Sequence, residues 1–530
     1  MAHQAAGNPT GEWGGSGRPK MTRRWVSVAR IKRLVLASAV VYALSLLAMS
    51  YYWPSGDTAH ALVNEIGKGR RLRDVGKATE TQRLDAGASI PSDVWTERDF
   101  QCVRWVATDE DDEPTGETRE CWQRVRGGES GYCELRNASN GELFRAMRTT
   151  SLSLKEEVRF TCRYAREFSD FRHHAARYVH DPPMATVFEA EAGIVMAVYE
   201  GVLSSAYASI RHLRDVGCRL PIELWTRHDE IGRSDPILSA ITNKYAPVRV
   251  RRIFDERVRG FYVKAHAVYY SSFRNVLLLD ADNFVVRDPT ALFHSRPFRR
   301  HGAVFWPDFW HPGNTIFNIH AQSLLWELLD IEHINMLEQE SGQVLIDRQR
   351  SRAPLERLMF FATHRPNILN KLLLVWGDKD LFRLAWLQVG QPFTFNNQRL
   401  PGSLGVVNSN RERFCGMSMV QYDFEGARPL FLHRNTVKLT GKPTDSRRIW
   451  KVMQQYAVHA QPPPTVQSYN GQKLFNETSC FGVKRFSHPQ QRLLVETTDI
   501  NTSSELHGLE DKLLGYAQEA YELTTPPRDT

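Results

Sequence analysis

An α/β domain with a mainly parallel sheet, carried behind an N-terminal transmembrane helix, is the architecture this 530-residue sequence predicts. Three observations predict it. Between residues 185 and 280, short apolar runs alternate with stretches of helical periodicity; one apolar run, LLLDADN at 277–283, delivers two carboxylates to its C-terminal end; and residues 34–53 form an uncharged run of 20. Apolar strands that alternate with helices imply parallel pairing through crossover connections.

The N-terminus sets the topology. About 20 apolar residues suffice to span a bilayer, and the 34–53 run ends in Tyr51, Tyr52 and Trp53. Seven basic residues precede it (Arg18, Lys20, Arg23, Arg24, Arg30, Lys32 and Arg33) against Glu12 alone. Basic residues stay cytosolic and aromatic residues mark the interface, so the remainder is expected in the secretory lumen. The run exceeds a signal-peptide core, and no small-x-small cleavage site follows it. These seven residues supply most of the net charge of +8, leaving about +2 elsewhere. A surface-wide footprint for a phosphate backbone is excluded on that ground, and no nucleic-acid partner is expected. A composition of 42% hydrophobic and 24% charged residues excludes wholesale disorder and multiple spans.

Six segments follow: a cytosolic tail (1–33), the transmembrane helix (34–53), a polar stem (54–93), a cysteine-containing lumenal subdomain (94–184), a catalytic domain (185–450) and a C-terminal extension (451–530). All seven cysteines (102, 121, 133, 162, 218, 415 and 480) lie beyond the span. Disulfides are permitted there. The four from 102 to 162 form a local framework with three pairings open, and the odd total leaves one thiol over. Sequons stand at Asn137, Asn476 and Asn501. The acidic run 109–113 reads as a solvated loop. In the catalytic domain, strands are expected at 193–199, 221–226, 248–254 and 275–280, with helices at 202–216, 236–245 and 262–273.

Four clusters carry chemistry. Asp280 and Asp282 sit where open α/β sheets bind ligands, beyond the carboxyl end of a strand, and oxygen ligands of this kind hold Mg²⁺ or Mn²⁺. The WPDFW segment at 306–310 sets aromatic faces beside Asp308, a combination suited to a sugar. In WGDKDLFR at 376–383, Asp378 is placed as a helix N-cap and Asp380 as a first-turn carboxylate facing the reacting sugar. In FLHRN at 431–435, His433 completes a metal shell with the two aspartates, and the nearby Lys438 meets phosphate charge.

Taken in order, GIVMAVYEGVLSSAYASIRHLR, LPIELW, LLLDADNFVVRDPTALF, FWPDFW, ESGQ, WGDKDLFRLAW and MVQYDFEGARPLFLHRN resemble the fungal-type Golgi alpha-mannosyltransferases that build mannan side chains. The resemblance covers about residues 185–438. It implies a GT-A-type nucleotide-diphospho-sugar transferase fold with a mixed, mainly parallel sheet, GDP-mannose as donor, Mn²⁺ (or Mg²⁺) as cofactor, a glycan or glycoprotein acceptor ending in mannose, transfer with retention, and a Golgi membrane location in which a Golgi enzyme complex is a further expected partner. Carried over by position, Asp280, Asp282 and His433 hold the metal. Lys264, Asp280, Trp306, Gly342, Gln343 and Lys438 bind the donor, the 340–343 turn lining the sugar sites. Asp308, Asp378 and Asp380 approach the reacting centre. Lys379 stands where the glycogenin-like relatives carry Gln, so internal return, which needs no enzyme nucleophile, is the expected course. Two other readings were open: a UDP-sugar-dependent enzyme of the same fold, and an inactive glycan-binding or scaffolding relative. A haloacid-dehalogenase-type phosphatase is disfavoured because Asn283 and Phe284, not Thr or Val, follow the carboxylates.

Overall fold

The computed structural model describes residues 100–310, 318–407, 414–458, 470–474, 478–480 and 495–525. The expected tail, transmembrane helix, stem and Asn476 sequon lie outside the described residues. Among the described residues no helix is long and apolar enough to cross a membrane.

The chain first builds a small antiparallel sheet from β1 (Phe100–Thr108), β2 (Pro114–Arg119), β3 (Gly131–Asn137) and β4 (Leu143–Thr149), in the order β2-β1-β3-β4. Disulfides Cys102–Cys121 and Cys133–Cys162 staple it, and helix α1 (Ala165–Arg177) buries Phe168 and Phe171 beneath it. The acidic run is an exposed turn in which the Asp109 carboxylate accepts from the backbone N–H of Asp111 and Glu113.

The expected alternation then appears: β5 (Ala190–Ala197), α2 (Leu203–Asp215), β6 (Ile222–Arg227), α3 (Pro236–Lys244), β7 (Val248–Ile253), α4 (Val263–Tyr270) and β8 (Phe273–Leu279). Helix α3 starts where Asp235 accepts from Leu238 N at 2.9 Å and proline occupies the first turn, a combination that satisfies one orphan donor and needs no other. Short β9 (Asn283–Val285) leaves the main sheet. After it come β10 (Ala303–Pro307), β11 (Gln339–Asp347), α5 (Arg352–Thr363), α6 (Leu381–Val389) and β12 (Thr394–Phe395). The seven-stranded sheet has the order β12-β10-β11-β8-β5-β6-β7. Only β11 runs against the others. The sheet is therefore mixed and mainly parallel. Its inner strands β5 and β8 put apolar side chains into the cores on both faces, as a sheet covered on both sides requires, whereas edge strand β7 carries three arginines.

A second, antiparallel sheet of six strands has the order β9-β15-β14-β13-β16-β17, adding β13 (Gly402–Val407), β14 (Phe414–Tyr422), β15 (Pro429–His433), β16 (Val452–Tyr456) and β17 (Val495–Asp499). Disulfide Cys415–Cys480 ties β14 to the chain beyond β16, and Cys218 is the buried free thiol. The terminal helix α7 (Leu509–Glu522) lies on α2, where Glu519 accepts from Tyr207 Oη at 2.6 Å and pairs with Arg211. The 451–530 segment, set apart as an extension in the sequence, thus supplies two strands and a helix to this body.

Besides the disulfide, a buried ion pair joins that segment to the rest. Glu510, on α7, is buried; it pairs with the fully buried Arg434 guanidinium and accepts from the backbone N–H of Ile449 at 2.8 Å and Trp450 at 2.9 Å. Removing one partner of a buried pair strands the other charge. Glu510→Ala is expected to lower unfolding stability by about 3–5 kcal/mol, read by urea denaturation; an unchanged midpoint would show that the pair is not a structural clamp.

Candidate active site and metal centre

Strand β8 ends at Leu279, paired with Gln343 of β11, and the chain turns at Asp280. Three bonds fix that turn. Asp280 N donates to Gly342 O at 2.9 Å, and the Asn283 amide donates to Gly342 O at 2.9 Å and to Gln343 Oε1 at 2.6 Å. Asn283 then opens β9, whose register against β15 places Asn283 opposite His433. This pairing brings a residue 150 positions downstream of Asn283 to the aspartate turn. His433 Nε2 lies 3.4 Å from Asp282 Oδ1 and 3.8 Å from Asp280 Oδ2. Ligand atoms of Asp280, Asp282 and His433 all fall within 4.8 Å of one another.

The imidazole is held from behind. Its Nδ1 lies 3.1 Å from Glu340 Oε1, an oxygen that also accepts from Gly342 N at 2.6 Å. A carboxylate on the far nitrogen orients a ligating histidine. A Cβ at Gly342 would stand 2.6 Å from His433 Nδ1 and 2.7 Å from Glu340 Oε1, so only glycine leaves room for the ring.

Charge in the site is unbalanced. Lys264 Nζ reaches Asp280 at 2.7 Å and Asp378 at 3.3 Å, and Lys438 pairs with Asp282. Next to them, Lys379 Nζ contacts Asp308 at 3.1 Å and pairs with Glu338, while Asp380 pairs with Arg383. Seven carboxylates therefore meet four permanent cations and one imidazole, nearly all buried. Burial works against each charge, and the neighbours decide the outcome. Burial opposes the imidazolium of His433, but Glu340 and Asp282 outweigh it and raise its pKa to about 10. Burial likewise opposes the Lys264 ammonium, and Asp280 with Asp378 more than restores it. Asp282 is held well below the usual carboxylate range by His433 and Lys438 despite its burial. Asp308 is pushed up to about 7 by burial against the pull of Lys379. Even with His433 charged the formal count stays negative. Two oxygen donors and one imidazole nitrogen in such a place suit a divalent cation such as Mn²⁺ or Mg²⁺.

The structure corrects several expected roles. Trp306 offers no sugar platform: β10 is an inner strand of the sheet, and its indole is fully buried, stacked on Phe424, with Nε1 donating to Tyr422 O at 3.2 Å. The 340–343 segment is strand rather than turn, every residue of β11 being buried. Gln343 is fully buried and spends its oxygen on Asn283, so it holds the aspartate turn instead of the donor. Asp378 does not cap α6. The N-cap position belongs to Asp380, at φ 65°, whose side chain caps nothing. Asp380 is fully buried, accepts from Gln339 N at 2.8 Å and pairs with Arg383, so it does not face the reacting sugar.

In front of the aspartates opens a cavity of about 770 Å³, a size that takes a small-molecule ligand. Lys264, Asp280, Asp282 and Lys438 line it, together with Tyr199, Phe261 and Glu230. These last three were missed in the sequence. Tyr199 was read only as a strand end, and Phe261, just ahead of the helix expected at 262–273, was not singled out. Glu340 was expected on the sugar side and proves to be the partner of His433.

Residues 191–325 and 326–423 match a protein-family model described as "Mannosyltransferase putative". Alpha-1,2-mannosyltransferase MNN21 of Candida albicans is 26% identical over 340 residues, 52% of this chain and 50% of that protein. Alpha-1,2-mannosyltransferase MNN2 of Saccharomyces cerevisiae is 26% identical over 261 residues, 41% of this chain and 43% of that protein. The chain thus spans half or less of the length of these curated relatives. Among solved structures, that of the mannosyltransferase Ktr4p from S. cerevisiae in complex with GDP is similar at 11% identity over 41% of this chain and 75% of that one, with a TM-score of 0.28, too low to support any inference about shape or ligand. Through residues 191–423, less than half of its length, the chain is thus similar to a mannosyltransferase family model and shares about a quarter of its aligned residues with these fungal alpha-1,2-mannosyltransferases.

Proposed function

We propose that this chain is a metal-dependent retaining glycosyltransferase that moves mannose from GDP-mannose to a mannose-terminated glycan in the Golgi lumen, anchored by residues 34–53. The observation that carries the reading is the Asp280, Asp282 and His433 triad, set in a carboxylate-rich network at the C-terminal edge of a mainly parallel sheet. The donor identity is supported by the alpha-1,2-mannosyltransferase relatives. The lumenal location is supported by three disulfides, which persist in oxidising compartments.

Asp280, Asp282 and His433 would hold Mn²⁺, which when bound neutralises charge on a departing diphosphate. Lys264 and Lys438 bring two further cations to the same cavity wall. Gln343 and Asn283 keep the aspartate turn rigid, and Glu340 keeps the His433 ring in place. Asp308, Asp378 and Asp380, the candidates for a front-side nucleophile, are each tied to a cation: Lys379, Lys264 and Arg383. That arrangement favours internal return, in which the acceptor attacks on the face the diphosphate leaves and the anomeric configuration is retained.

Three outcomes are expected. With Mn²⁺, the purified chain releases nucleoside diphosphate from GDP-mannose in preference to UDP-galactose, UDP-glucose and UDP-N-acetylglucosamine, and EDTA abolishes the release; preference for a UDP-sugar would keep the metal site and overturn the donor. Asp282→Asn is expected to remove metal-dependent turnover, a loss on the order of 100-fold or more, while circular dichroism stays unchanged; undiminished turnover rules out the site. Because metal-free His433 has a pKa of about 10, it is protonated at neutral pH and must lose that proton to ligate. Mn²⁺ affinity should therefore rise with pH, roughly tenfold per unit between pH 6.5 and 8.5, with proton release seen by calorimetry in buffers of different ionisation enthalpy; a flat pH dependence would remove His433 from the shell.

A further inference from the structure

The cavity beyond the aspartates carries a feature that metal and diphosphate do not use. Strands β8, β5 and β6 are consecutive neighbours in the sheet. Their C-terminal ends deliver, in a row, Asp280, Tyr199 and, three residues past Arg227, Glu230, all lining the cavity. Neighbouring strands stand about 4.8 Å apart, so the Glu230 loop begins roughly 10 Å from the aspartate turn. Two aromatic rings flank this part of the cavity with unusual exposure, Tyr199 at 48% and Phe261 at 58%. Phe261 is seated against Gly377, where a Cβ would stand 2.8 Å from its ring. That glycine has φ +60°, a conformation other residues rarely adopt. No hydrogen bond or ion pair among the described residues engages the Glu230 carboxylate, although its neighbour Asp229 pairs with Arg227.

A carboxylate accepts and never donates when ionised. Guanine presents two adjacent donors on one edge, its N1–H and its 2-amino group, which a single carboxylate can accept together. Uracil presents one donor between two carbonyl oxygens, which the same carboxylate repels. We infer that Glu230 reads the donor-rich edge of a guanine base held at Tyr199 and Phe261, and so sets the nucleotide specificity of the site. This rests on the nucleotide-sugar reading above and adds to it the residue that selects the base. The charges agree: Lys264 and Lys438 pair with the aspartates beyond β8, where an anion belongs, and Glu230 follows a strand two places away, where donors belong.

Inosine diphosphate isolates the claim, since it differs from GDP only in lacking the 2-amino group. The purified full chain is titrated with GDP, inosine diphosphate and UDP in the presence of Mn²⁺ by calorimetry, as wild type and as Glu230→Gln and Glu200→Gln. Glu230 is exposed, so its substitution leaves the core intact, which the melting temperature verifies. The expected result is GDP bound about tenfold or more tightly than inosine diphosphate, a margin lost in Glu230→Gln and kept in Glu200→Gln. GDP favoured over UDP but bound no better than inosine diphosphate would overturn the role of Glu230 while leaving the GDP-sugar reading in place. UDP favoured over both purine nucleotides would overturn the donor reading itself. A margin lost in Glu200→Gln alone would transfer the role to Glu200, which also lines the cavity, and refute the one drawn here.

Discussion

A surplus of buried negative charge governs this structure. Seven carboxylates share a largely dry region with four permanent cations and a histidine, and isolated charges in such surroundings cost several kcal/mol each. The protein answers locally, by threading Lys264 between Asp280 and Asp378, Lys379 between Asp308 and Glu338, and His433 between Glu340 and Asp282. One excess carboxylate remains at the aspartate turn, where Asp280 and Asp282 converge with His433. The fold thereby holds an electrostatic demand for a cation at one place, with donor atoms already converged on it.

The architecture follows from the need to hold that turn from two sides. The parallel strands supply the aspartates from one side. The second sheet supplies His433 from the other, and reversed β11 runs between them, carrying Glu340, Gly342 and Gln343 into the gap. Each does a different job there: Glu340 orients a ring, Gly342 yields space, and Gln343 fastens Asn283. A strand parallel to its neighbours would place this segment at the opposite edge of the sheet.

Much of this was legible in the sequence where periodicity is the signal. The strands and helices from 185 to 280 fall within a few residues of their expected bounds, because each apolar run is bracketed by Gly, Pro or charged residues. The aspartate turn was legible for the same reason. His433 rested on residue type and on the resemblance, and the β9–β15 register supplies the physical cause of its arrival. The misreadings share one source. The aromatic segment 306–310, the 340–343 stretch and Asp380 all carry side chains that look made for a ligand, but each is buried by the sheet or by an ion pair, and burial is a property of tertiary packing that a local pattern does not report. The exposed rings of Tyr199 and Phe261 went unremarked for the converse reason: single aromatic residues at element ends are ordinary in sequence and acquire meaning only where a cavity opens between them.

The Glu510–Arg434 pair has a consequence for how the molecule comes into being. Arg434 follows His433 directly and its backbone N–H is bonded to Asp282 O at 2.9 Å, yet the carboxylate that holds its guanidinium, Glu510, lies 76 residues further on in α7. During synthesis, every strand of the main sheet emerges long before that helix does. A nascent chain can thus complete its main sheet and still lack the clamp behind His433, so the site is secured only after a helix made later than the strands that shape it.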